Sequence, residues 1–164
     1  MSEFEYRVQS VLSMYDGDSV NVRVVRKHDV PERIMDFGFD DVVVIPGYTI
    51  MKEIEVAVRM YGFDTPELRD KRHDWKAAAY LARDVAREWM KDSIKAGPLV
   101  METYKDRTGK YGRYLANFRS MNGTTLGDYL IQKCLAVPYY GQNKTEVEAA
   151  HQANINALKK VGEI

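Results

Sequence analysis

Apolar and polar positions alternate through much of the first sixty residues. In "SVNVRVVRK", Val20, Val22 and Val24 share one side and Asn21 and Arg23 the other, the period of a strand with one buried face. The preceding "EYRVQSVLSMY" alternates too. Between them "DGD", Asp16 to Asp18, is a sharp turn signal, so the two runs predict a hairpin. A third strand is predicted where Ile54, Val56, Val58 and Met60 alternate with Glu53, Glu55, Ala57 and Arg59, which carries Arg59 outward from the core.

From His73 the period lengthens. Trp75, Ala78, Ala79, Ala82, Val85, Ala86, Trp89 and Met90 recur at helical spacing, with Lys76, Arg83, Asp84, Arg87 and Lys91 opposite. The pattern predicts an amphipathic helix of about five turns ending before "AGP". Two strands follow, "LVMETYK" and "RYLANFRS", joined through "DRTGKYG" with Gly109 as the turn residue. A second helix is predicted from near Thr125, with Asp128 as capping partner. A third is predicted from Thr145, with Glu148 completing a capping box, to about Val161.

Three strands, a helix, two strands and two helices make an α+β chain. That is the layout of an OB-fold, a five-stranded Greek-key barrel, here with three helices. No repeat, low-complexity tract or linker interrupts the sequence, so residues 1–164 are expected to form one domain with one core. The segment from 29 to 51 is longer than a simple hairpin needs. Its "DDVVVIPGYTI" is β-prone, and is expected to extend strands two and three or to form a flap.

Composition narrows the function classes. With 45% hydrophobic and 29% charged residues the chain is globular, not disordered. No apolar run approaches the ~20 residues of a membrane span. The start "MSEFEYRVQSV" lacks the pattern of an export signal, so a soluble protein is expected, cytoplasmic or secreted with its signal removed. The 24 basic and 24 acidic residues cancel, so any attraction to phosphate must come from a local patch. A single cysteine, Cys134, excludes an internal disulfide and a cysteine-rich zinc site; its helical context predicts a buried structural thiol. His28, His73 and His151 form no metal-binding pair and read as surface or boundary residues.

Three motifs carry candidate chemistry, and each has a bland reading. "YDGDSV" serves as a hairpin turn, "DTPE" as a helix entry with Pro66 stiffening the turn and Glu67 near a helix N-terminus, and "KYGR" as a hairpin tail with a solvated arginine. Taken together, in this order and approximate spacing, "YDGDSV", "RMYGFDTPE" and "DRTGKYGRYLANF" resemble the micrococcal nuclease (thermonuclease) family over roughly residues 5 to 160.

The resemblance implies an OB-fold nuclease. Asp18, Asp64 and the Thr65 carbonyl would bind Ca²⁺, Glu67 would act as general base, and Arg59 and Arg113 would clamp the phosphate. The chemistry suits these types, because carboxylate and carbonyl oxygens fit a hard cation and planar guanidinium groups match phosphate oxygens. Lys110 and Tyr111 match positions that contact a terminal phosphate, and Tyr139 or Tyr140 matches an aromatic that packs on a base. The implied activity is Ca²⁺-dependent hydrolysis of DNA and RNA, preferentially unpaired, leaving 3′-phosphate ends, with no membrane and no obligate protein partner. The rival reading is a catalytically silent OB module that binds nucleic acid or protein. Two departures stand out: the long 29–51 segment, and a neutral net charge where secreted members are strongly basic.

Overall fold

The computed structural model describes residues 4–104 and 113–164. β1 (Phe4–Asp16) and β2 (Ser19–Val30) form the predicted hairpin around Gly17 and Asp18. Register shifts after Val8, Val11 and Met14 bend β1, because each extra residue increases the local twist. The segment that follows carries a separate two-stranded ribbon, β3 (Arg33–Asp36) against β4 (Val42–Ile45). β5 (Tyr48–Met60) then pairs with β2 along its whole length, from Val30 opposite Tyr48 to Ser19 opposite Arg59. The long segment therefore both extends its flanking strands and adds a ribbon beyond them.

β6 (Gly62–Asp64) follows at once, then α1 (His73–Ala96), β7 (Leu99–Tyr104), β8 (Tyr114–Arg119), α2 (Leu126–Gln132), β9 (Val137–Tyr139) and α3 (Lys144–Lys160). The barrel closes in the order β1-β2-β5-β8-β7, with β7 returning to β1. β8 joins β5 in a short parallel seam, where Val58, Arg59 and Met60 face Tyr114, Leu115 and Ala116. This is the expected five-stranded OB barrel with three helices. The predicted turn at Gly109 lies outside the described residues.

The alternating valines of β2 and β5 point inward and meet Leu99, Met101 and Phe118. Ala78, Ala79, Ala82 and Ala86 are fully buried on α1, small enough to let that helix lie close against β1. α1 runs past the five predicted turns because Ile94 still packs on the core, and it stops at Gly97-Pro98. Among the described residues no helix is long and apolar enough to cross a membrane.

Three local expectations need correction. α3 is capped by Asn143, whose Oδ1 accepts from the Glu146 N–H at 2.9 Å, and not by a Thr145–Glu148 box. Asn is the stronger cap, and Glu148 is drawn instead to Arg72 at 2.8 Å. α2 starts as expected, with Thr125 accepting from the Asp128 N–H, but stops at Gln132, so Cys134 does not lie on its buried face. The Leu135 N–H donates to the Leu130 carbonyl and the Cys134 N–H to that of Ile131, a Schellman closure that puts half-buried Cys134 at φ 58°, where glycine is usual. Finally, β6 pairs with β9 in a small sheet that alternation did not predict, and this sheet carries Asp64 and Tyr139.

Candidate active site

Three stretches converge where the β1–β2 turn meets the end of β5. The Gly17–Asp18 turn is wedged in place: a Cβ on Gly17 would lie 3.0 Å from Thr65 Cγ2 and 3.3 Å from the Ala82 backbone. The Met60 N–H donates to the Asp18 carbonyl at 2.9 Å and fastens the turn to β5. Gly62, at φ 88°, reverses the chain into β6 through a left-handed conformation that costs glycine little. Beyond Asp64, the Leu68 N–H donates to Asp16 Oδ1 at 3.0 Å, which tacks the Thr65–Leu68 loop onto the hairpin.

These constraints bring an arginine, two aspartates and a histidine into line. Arg59 Nη1 lies 2.5 Å from Asp18 Oδ2 and Nη2 lies 3.1 Å from Asp64 Oδ1. The other Asp64 oxygen, Oδ2, lies 2.8 Å from His151 Nε2. The Thr65 N–H donates to Asp18 Oδ2 at 3.3 Å, while the buried Thr65 Oγ1 has no hydrogen-bond partner among the described residues. Asp18 is only 3% exposed.

Burial pushes the Asp18 carboxyl up to about 6, because the neighbouring Arg59 only partly offsets desolvation and Asp64 adds repulsion. Asp64 goes the other way. Burial raises it, but the hydrogen bond and charge of His151, with Arg59, outweigh that and hold it below the usual carboxylate range. Asp16 is raised, first by burial, with the Leu68 N–H opposing. Of this group Asp18 is the carboxylate most in need of a further cation.

A cavity of about 490 Å³ opens above the cluster, lined by Arg59, Asp64, Thr65, Glu67, Trp75 and Tyr139 among others. Glu67 stands exposed at its rim, with Oε2 accepting from Arg69 Nε at 2.7 Å. Arg113 is exposed and sits one residue before Tyr114, which faces Val58 across the seam, but it does not line the cavity. Tyr139 lines the cavity. Tyr140 is more exposed and stands edge-on to Tyr61 at 6.0 Å, which in turn stacks on Tyr104 at 4.0 Å. Lys110 and Tyr111 lie outside the described residues.

His151 is one residue that sequence reasoning missed: it is buried, not at the surface or a boundary. Its ring lies 5.7 Å from that of Trp75. The signal was its spacing, since His151, Ile155 and Leu158 form one buried stripe on α3. Arg72 was also missed; it lies 3.6 Å over the Trp75 ring and ties α1 to α3 through Glu148.

The family model described as staphylococcal nuclease homologue matches residues 57–162. The chain belongs to this family. No curated protein matches it. As a staphylococcal nuclease homologue the chain is a nuclease-type hydrolase. The match takes in Arg59, Asp64, Glu67, Arg113 and His151, but begins at residue 57. Asp18 lies before it, and joins the others through the hairpin geometry described above.

Proposed function

We propose that this protein is a Ca²⁺-dependent phosphodiesterase, one catalytic domain over residues 1–164, that hydrolyses DNA and RNA with little sequence preference and leaves 3′-phosphate ends. The observation that carries the reading is the convergence of Asp18, from the β1–β2 turn, and Asp64, from the end of β6, on a single cationic group, beside a buried Thr65 hydroxyl that has no partner among the described residues. Two carboxylates and a backbone carbonyl form a hard-oxygen donor set. Among the described residues no three His, Cys, Asp or Glu side chains converge as a metal cage; water and phosphate oxygens would have to complete the coordination.

Asp18, Asp64 and the Thr65 carbonyl would hold the cation, whose charge would offset that building on the phosphoryl oxygens. Arg59, relieved of its carboxylates, and Arg113 bind those oxygens and stabilise the five-coordinate transition state. Glu67 accepts a proton from the attacking water. The water oxygen bonds to phosphorus, the bond from phosphorus to the 5′ oxygen breaks, and that oxygen takes up a proton from solvent water as it leaves. The row Tyr140, Tyr61 and Tyr104 offers faces on which unpaired bases stack, which favours single strands. Tyr139 lines the cavity beside the scissile group, with Lys110 and Tyr111 assigned to a terminal phosphate.

Digestion of single-stranded DNA with Ca²⁺ and with excess chelator tests this. Cleavage that persists undiminished in chelator removes the metal from the mechanism. Binding without cleavage at saturating Ca²⁺ restores the silent module.

A further inference from the structure

Beyond the barrel, β2 and β5 continue as a ribbon from Arg26–Lys52 outward, and β3–β4 extends it past Pro31 and Pro46. Every residue from 31 to 53 is exposed. Such a ribbon covers nothing else among the described residues, and a lone two-stranded hairpin is marginal in water. Yet it is strongly apolar on both faces: Met35 opposes Val43 on one, and Ile34 opposes Val44 on the other. A strand reading "VVVI" is the kind that is normally buried on both sides.

The tip is built to present apolar groups. The Phe37 N–H donates to the Asp41 carbonyl and the Asp41 N–H to that of Gly38, both at 2.9 Å. This turn holds Phe39 at φ 54°, a rare conformation for a bulky residue, with its side chain wholly in solvent. The exposed apolar side chains of one arm present on the order of 1,000 Å², against about 300–600 Å² for the largest patch on a typical monomer.

Charge says what covers the arm. Between residues 34 and 51 there are three acidic residues, Asp36, Asp40 and Asp41, and no basic one. At the root, Arg26 and Lys52 stand directly opposite each other with Lys27 beside them. Like charges so placed weaken a strand pair. None of these six has an ion pair among the described residues; of the arm's other charges, Asp29 at the root accepts from the Thr49 hydroxyl at 2.7 Å, and Glu32 and Arg33, between root and tip, cancel. An acidic tip is repelled by nucleic acid or anionic lipid, but it complements the basic root of an identical arm.

We propose that the arm is a dimerisation element: two copies of this chain lay their arms antiparallel about a two-fold axis, the acidic tip of each against the basic root of the other. Tip and root are about 30 Å apart along the ribbon, at the rise of extended strands. Burial of half of each arm's apolar surface reaches the roughly 1,000 Å² at which a specific interface begins. A two-fold axis supplies both tip-to-root contacts at once.

Sedimentation equilibrium of the full chain tests this, with charge reversals at the two ends. The wild type should sediment as a dimer at micromolar concentration. Reversing the tip (Asp36→Lys, Asp40→Lys, Asp41→Lys) or the root (Arg26→Glu, Lys27→Glu, Lys52→Glu) should each raise the dissociation constant at least about 100-fold, since like-charge juxtaposition costs several kcal/mol. Mixing the two variants should restore a dimer of one of each. Phe37→Ser with Phe39→Ser, which leaves every charge in place, should also yield a monomer whose melting transition is retained. A monomeric wild type overturns the proposal, including one that associates only with some other protein. So does a dimer that survives both reversals or the phenylalanine change, or a mixture that stays monomeric.

Discussion

Asp18→Asn should make the cation-free protein more stable while weakening its hold on Ca²⁺. The wild-type carboxyl has an ordinary value of 3.8 and is raised to about 6 in the fold. A raised acid contributes stability that is fully present below the unfolded value and is lost as pH rises through the folded one. From pH 4 to about 7 the cation-free wild type should therefore lose about 2–3 kcal/mol through this group, at 1.36 kcal/mol per pKa unit. The asparagine has no charge to desolvate and should not show that loss. At pH 7.5 in chelator the variant should melt about 5–10 °C higher, given the few degrees that each kcal/mol is worth at this chain length. In millimolar Ca²⁺ the order should narrow or reverse, because only the wild type gains from the cation. Scanning calorimetry from pH 4 to 8, with chelator and with Ca²⁺, reads all of this. A variant that melts lower than the wild type in chelator at pH 7.5, or a wild type whose stability rises across pH 4 to 7 while the variant's stays flat, would refute the reasoning.

The neighbouring carboxylate should behave oppositely. Asp64 is held below its ordinary value, so its stabilisation is present at neutral pH and lost as pH falls through the folded value, and Asp64→Asn should lower the cation-free melting temperature. Glu67→Gln should cut turnover by about 10²–10⁴ with substrate binding nearly unchanged. Arg59→Ala and Arg113→Ala should each cost about 10³–10⁵ in turnover and keep the pH profile's shape, which steady-state kinetics against pH would resolve. His151→Leu removes the partner that orients Asp64 and should weaken Ca²⁺ binding by about 10–100-fold in isothermal titration; unchanged affinity would leave His151 a core residue only. Cys134→Gly should raise stability by about 0.5–1 kcal/mol in urea titrations with turnover unaltered, because glycine takes the left-handed position without strain.

Much of the barrel was legible because alternation in β2 and β5 and helical spacing in α1 are long, regular signals. Short elements were not. β6 and β9 hold only "GFD" and "VPY", too brief for a period to register, and they pair across a sequence gap that no local pattern spans. Asp64 was legible through its motif; its bond to His151 was not, since the two are far apart in the chain and a histidine in an apolar stripe has no separate signature. The cap at Asn143 was missed because Thr145 and Glu148 satisfy the same pattern, and Glu148 left that pattern for Arg72 on another helix. The exposed arm was read from its β-prone composition, but "VVVI" by itself says buried, and only the fold reveals that it stands exposed, uncovered by the described residues.

The parallel seam between β5 and β8 is short, and slanted parallel pairing is somewhat weaker per residue than the antiparallel ladders elsewhere in the barrel. Barrel breathing should therefore begin there, with the amides of the seam, including Tyr61 N–H bonded to the Ala116 carbonyl at 2.8 Å, exchanging with solvent before those of β2. Arg59 lies in this seam and Arg113 adjoins it, so each opening moves one guanidinium relative to the other. A phosphate gripped by both would act as a clasp across the barrel's weakest join, and hydrogen exchange at Tyr61 would slow when a nucleotide is held there.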